Sequence, residues 1–221
     1  MHINPDFLSQ VWLVLGALGY GLALLLALRR ARWWHLRDRR DFNVLGCAIL
    51  GVLYIWTMQA QVTATLTLHL LGATLLTLMF GWSFALLAIS GVLITLTVMH
   101  GGNWFALPWN ALLLGVLPIT ISYGLFRVTD RYLPNNFFIY IFICAFFGAA
   151  VSMSAVILAT TAMHSLAGEY NLAYMGYNYV PYGLLMMFPE AFITGMLMSI
   201  FVAYRPHWVS TFDDARYLQS H

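Results

Sequence analysis

The chain opens Met1-His2-Ile3, and a histidine at the second position has a specific chemical consequence. Initiator methionine is trimmed only ahead of small residues, so His2 should leave Met1 and its amine in place. The Met1 amine, the His2 backbone nitrogen and the His2 Nδ1 can then close five- and six-membered rings on one metal ion. Three nitrogens leave one corner of a square plane open, and such nitrogen-rich tetragonal sets suit Ni(II) or Cu(II). The amine, with an ordinary pKa of about 8, must lose its proton, and so must the amide, so binding should weaken in acid. The bland alternative is a histidine that stands there by chance. His69 could supply the fourth nitrogen, or serve as a hydrogen-bonded structural histidine. It follows the polar-dotted run Thr63-Ala64-Thr65-Leu66-Thr67-Leu68 and precedes Leu70-Leu71-Gly72-Ala73, where Gly72 permits close backbone approach.

The elements that must position these residues are membrane spans. Of 221 residues, 62% are hydrophobic and 8% charged, and the mean hydropathy is +0.79. A water-soluble domain has roughly a quarter of its residues charged. Seven apolar stretches are legible: Phe7–Leu28, Phe42–Met58, Leu66–Trp82, Phe84–Met99, Trp109–Phe126, Asn136–Ala159 and Tyr182–Tyr204. The third and fourth meet at Gly81-Trp82-Ser83, a tight turn. At ~20 residues per crossing they use roughly 140 residues. That leaves no separate soluble catalytic or nucleotide-binding domain, and residues 1–221 read as one integral membrane domain of all-α, polytopic class.

The sequence has no lysine, and its ten basic residues are all arginine. Arg29, Arg30, Arg32, Arg37, Arg39 and Arg40 lie between spans one and two, Arg127 and Arg131 between five and six, and Arg205 and Arg216 after span seven. Seven crossings put all ten on one side, which the positive-inside rule makes cytoplasmic. The amino terminus is then outside and the carboxyl terminus inside, in a cell inner (plasma) membrane. No basic region or small-residue cleavage site precedes the arginines, so the first residues should stay in the mature protein. A net charge of +2 does not suggest a nucleic-acid partner. Cys47 and Cys144 fall within apolar runs, against a disulfide framework or thiolate cluster.

Polar groups near or inside spans are functional candidates, because burying them in lipid is costly. The outer face collects His2, His69, His100 and His164 with Asn103, Asn110, Gln59 and Gln61, while His35, His207 and His221 fall among the arginines. The stretch Met163–Pro181 carries Tyr170, Tyr174, Tyr177 and Tyr179, with Tyr182 just beyond, and reads as an interfacial lid or an anchored loop. Glu190 behind Pro189 could hold a helix break or act as a metal waypoint. Met186, Met187, Met196 and Met198 suit gap-filling in a bundle better than a copper ladder. Gly19, Ala23 and Ala27 form a small-residue stripe for close helix approach.

Three segments in order resemble landmarks of the CbiM/NikM family, the substrate-binding membrane components of cobalt and nickel energy-coupling-factor transporters. They are Met1-His2-Ile3, His69-Leu70-Leu71-Gly72-Ala73, and Pro189-Glu190-Ala191-Phe192-Ile193-Thr194-Gly195. The turn His100-Gly101-Gly102 with Trp109-Asn110 resembles a fourth. The resemblance implies seven helices with the amino terminus out, and Ni2+ or Co2+ held by Met1, His2 and His69. Glu190 matches a family residue that is not a ligand, so its implied role is structural. His100, Asn103, Asn110 and His164 would then line or gate the site. Coupling transmembrane and ATPase subunits are the implied partners, and the small-residue stripe would dock on the former. Departures are present. Thr65-Leu66-Thr67-Leu68 replaces a Gly-Thr-Ser-Gly run, His100 replaces an aspartate, and the Met163–Pro181 stretch is enlarged. With Met99 or Met163 near His100 and His164, a Cu2+ site is an alternative.

A different class of reading is a b-type haem redox protein pairing His69 with His100 or His164, which an intense Soret band would reveal. A third is a structural membrane subunit without metal. No Ser-His-Asp, Walker or zinc-protease pattern is present, so no enzyme activity is expected. Sidedness is checked by impermeant thiol labelling in intact cells: Ser165→Cys should react and Ser210→Cys should not. The reverse pattern would invert the topology.

Overall fold

The computed structural model describes residues 8–33, 39–61 and 66–213. It is nearly all helical: α1 (Gln10–Arg30), α2 (Arg39–Thr57), α3 (Ala73–Met99), α4 (Leu107–Tyr132), α5 (Phe137–Leu166), the short α6 (Leu172–Asn178) and α7 (Val180–Tyr204). Five of these helices are long and apolar enough to cross a bilayer, and α2 contributes a shorter apolar segment, Phe42–Thr57. A two-residue hairpin, β1 (Ala60–Gln61) against β2 (Thr67–Leu68), precedes α3.

Helix α3 is two helices joined at a break. Gly81 has φ 77° and ψ 172°, outside the helical region and open to glycine alone. This is the expected turn at Gly81-Trp82-Ser83, and with the short α6 set aside it brings the helical segments among the described residues to seven. The preceding apolar stretch differs from expectation, because Leu66–Trp82 is not a helical span. Residues 66–72 are non-helical and only 73–80 are helical before the break. Eight helical residues rise only ~12 Å, well short of the ~30 Å hydrocarbon thickness, so the third apolar stretch is half non-helical chain and half helix.

Breaking a helix leaves carbonyls without partners at its end. Ser210 N–H donates to Met79 O at 2.9 Å and Thr211 Oγ1 to Leu78 O at 2.7 Å, so the chain after α7 caps this half-helix. Arg30, Arg32, Arg127 and His207 line one cleft beside it, which places the ends of α1, α4 and α7 together. Leu8, Trp12, Trp109 and Met163 pack together at the opposite ends of α1, α4 and α5.

The small-residue stripe of α1 is used inside the molecule. Gly16, Tyr20, Ala23 and Ala27 form its buried face, while Val11, Leu18 and Leu22 point outward as a lipid-facing surface would. Thr74, Ser122 and Ser152 link α3, α4 and α5 through hydroxyl contacts of 2.7 and 2.8 Å. Pro118 O accepts from Ser152 Oγ at 3.3 Å.

Helices α1 and α4 approach each other closely at Gly16. A Cβ there would lie 2.5 Å from Trp109 Nε1, which donates to Trp12 O at 2.7 Å. Gly16→Val should push the indole off that carbonyl and lower stability by about 1–3 kcal/mol, the usual cost of overpacking. Thermal melting in detergent checks this, and a melting point equal to wild type would show that the contact yields freely.

Candidate metal site

His69 lies between β2 and α3 and is 1% exposed. Its Nδ1 is 3.0 Å from Leu70 O. A carbonyl oxygen only accepts, so Nδ1 carries the proton and the neutral ring presents its lone pair at Nε2. Trp56 packs on the ring at 4.6 Å between centroids. Trp56 ends α2 away from the arginine cleft, so His69 sits toward the opposite end.

The loop behind His69 is held from two sides. Leu71 N–H and Gly72 N–H donate to the two carboxylate oxygens of Glu190, at 2.7 and 2.8 Å. Trp56 Nε1 donates to Leu71 O at 3.0 Å. Gly72 has φ +64°, the left-handed conformation that begins α3, and a Cβ there would meet Val52 Cγ2 at 3.1 Å. Glu190 follows Pro189 inside α7 and is 3% exposed. Its geometry realises the structural one of the two roles the sequence left open.

His164 is the second buried imidazole, 1% exposed near the end of α5. Gly168 at φ +75° turns the chain, Gly168 N–H donates to Ser165 O, and Glu169 N–H donates to His164 O. This is a Schellman motif, in which the residues now filled by His164 and Glu169 usually make an apolar contact. Here His164 Nδ1 donates to Glu169 Oε2 at 2.8 Å instead. Tyr170 meets the His164 ring edge-on and stacks on Tyr174 at 5.5 Å.

The remaining candidates are dispersed. His100 is exposed at the end of α3 with Nδ1 3.0 Å from Leu96 O. Asn103 Oδ1 accepts from Phe105 N–H in an exposed turn, and Asn110 is buried in the first turns of α4. Among the described residues, no three or more His, Cys, Asp or Glu side chains gather as a metal cluster. Met1 and His2 lie outside the described residues. The Met163–Pro181 stretch is largely folded: α5 continues to Leu166, and α6 buries Met175 while Tyr177 stays exposed. Sequence reasoning missed Glu169 and Trp56. The Gly-Glu pair after a helix end was the available signal for Glu169, and Trp56 left none.

These features define a polytopic membrane protein with hydrogen-bonded imidazoles buried opposite an arginine-lined end. The profile of the cobalt uptake substrate-specific transmembrane region, CbiM, matches residues 2–208, and the chain belongs to that family. It is 28% identical over 218 residues to a Haloquadratum walsbyi protein named for metal transport, covering 96% of this chain and 94% of that one. The crystal structure of a truncated transition metal transporter shares the fold, with TM-score 0.79, 20% identity, and coverage of 92% of this chain and 99% of that one. A second transition metal transporter structure gives 0.78 at 20% identity, covering 92% and 93%. The chain is a multi-pass membrane protein of a metal uptake family.

Glu190→Ala should leave the buried Leu71 N–H and the half-buried Gly72 N–H without this acceptor, at about 1–3 kcal/mol for the buried one and less for the other. Glu190→Gln keeps one acceptor and should lose less. Melting in detergent with metal content per chain reads both effects. Wild-type values for Glu190→Ala would show that the loop is held by other contacts.

Proposed function

We propose that the chain captures a divalent transition metal ion, Ni2+ or Co2+, at the extracytoplasmic face as the substrate-binding component of an uptake system. The Met1 amine, the His2 amide and imidazole, and His69 Nε2 are the ligands. The observation that carries this reading is the state of His69, with Nδ1 engaged on Leu70 O in a loop clamped by Glu190 and Trp56. A ligand whose tautomer and position are set before the ion arrives loses little freedom on binding. Membership of the cobalt uptake family favours metal capture over the haem reading.

The arginine-lined cleft supports a cytoplasmic assignment for that end, in the plasma membrane, by the positive-inside rule. Energy for transport would come from coupling transmembrane and ATPase subunits, since this chain carries no nucleotide motif. The chain acts as a carrier and not as an enzyme. Cu2+ would fit the same nitrogen-rich plane. Protons compete for the amine and imidazole nitrogens, so affinity falls as pH drops.

A peptide bond to the Met1 nitrogen would remove a basic donor and shift the His2 chelate out of register. One residue added before Met1 should therefore abolish metal binding with the fold intact, while an extension after His221 should have no effect. His69→Ala should weaken binding severely. Metal content per chain, measured on equally monodisperse samples, checks all three, and equal occupancy in the two extended forms would rule out the amine as a ligand.

A further inference from the structure

His164 has an arrangement that packing does not require. Its Nδ1–H is engaged by Glu169, whose side chain is 7% exposed, so the neutral ring carries its lone pair at Nε2. That Nε2 is buried and has no hydrogen-bond partner. Buried polar atoms without partners are few in native proteins, and each calls for an explanation. Two more belong to the same helix. Thr160 Oγ1 and Thr161 Oγ1 are also buried without partners, and Thr160 lies four residues before His164, one helical turn deeper on the same face of α5. Carboxylate, imidazole N–H and open imidazole nitrogen, in that order, is how histidines are prepared as metal ligands: the carboxylate fixes the tautomer and raises basicity. The Glu169 charge also offsets part of the cost of a cation in a low-dielectric interior.

We propose that His164 Nε2, oriented by Glu169 and accompanied by the Thr160 hydroxyl, forms a second and weaker binding station for the divalent metal ion that the outer site captures. The proposal rests on the capture reading above, but its residues are separate from Met1, His2 and His69. One imidazole and a hydroxyl, with water completing the shell, bind less tightly than a four-nitrogen plane. A station on a transport route must be weak enough to release its ion. Leu8, the first described residue, packs with Met163, next to His164 in α5. The segment carrying Glu169, Tyr170 and Tyr174 covers it and must move for an ion to enter.

The test is a Co2+ titration of the full chain in detergent, free of any polyhistidine tag, read by visible absorption and by metal analysis. Wild type should bind one ion tightly and a second weakly. His164→Gln should lose the weak phase and keep the tight one. Glu169→Gln still accepts the Nδ1 proton but lacks the charge, and should weaken the second ion about 10–100-fold. His69→Ala should lose the tight phase and keep the weak one. A wild-type chain that takes up one ion only would overturn the station, as would a weak phase unchanged in His164→Gln. If His164→Gln disturbs folding, an unchanged weak phase in Glu169→Gln overturns it equally. Absence of a tight, His69-dependent phase instead overturns the capture reading, and the weak phase is then judged on His164 and Glu169 alone.

Discussion

A polypeptide crossing a bilayer must satisfy every backbone N–H and C=O within the protein, because lipid offers no partner. The third crossing of this chain is half non-helical, so its peptide groups need partners from elsewhere. Glu190 meets that need for Leu71 and Gly72, and Trp56 does so for Leu71 O. A buried carboxylate is costly unless both oxygens are engaged. Here hydrogen bonds of 2.7 and 2.8 Å engage the two oxygens. Carboxylate and loop are thus each tolerable only because of the other, and His69 is carried on the loop they stabilise.

The same logic accounts for the lower half of that crossing. Gly81 ends the half-helix, which leaves Leu78 and Met79 carbonyls that the segment after α7 caps. The hydroxyl contacts of Thr74, Ser122 and Ser152 lock the half-helix to α4 and α5. An interrupted span buried on all sides can hold a polar site at a depth where a continuous helix would present only side chains. The lipid-facing residues of α1 and the outward aromatics of α6 carry no such burden.

The two buried imidazoles are prepared by different means. Leu70 O, the neighbouring carbonyl, sets the tautomer of His69 and supports the ring's basicity. A carboxylate sets that of His164, and raises it. In each case the nitrogen left with the lone pair is Nε2. In the proposed reading, a tight capture position and a looser second one follow from the number of nitrogens available at each.

The membrane class, the number of helical segments, the turn at Gly81 and the clustering of arginines were all legible in the sequence. Apolar run length, charge and glycine act through local or one-dimensional physics. His69 was legible as a candidate because a histidine at a span edge is expensive to place there without a reason. Other features belong to the tertiary structure alone. Glu190 meets Leu71 across 119 positions and Trp56 meets Leu71 across 15, and no periodicity in a single chain records such pairs. The third stretch looked helical because its apolar residues suit a helix as well as an extended buried segment. What decided between them was Glu190, which offers the Leu71 and Gly72 amides an acceptor that a helix would have supplied from its own preceding turn.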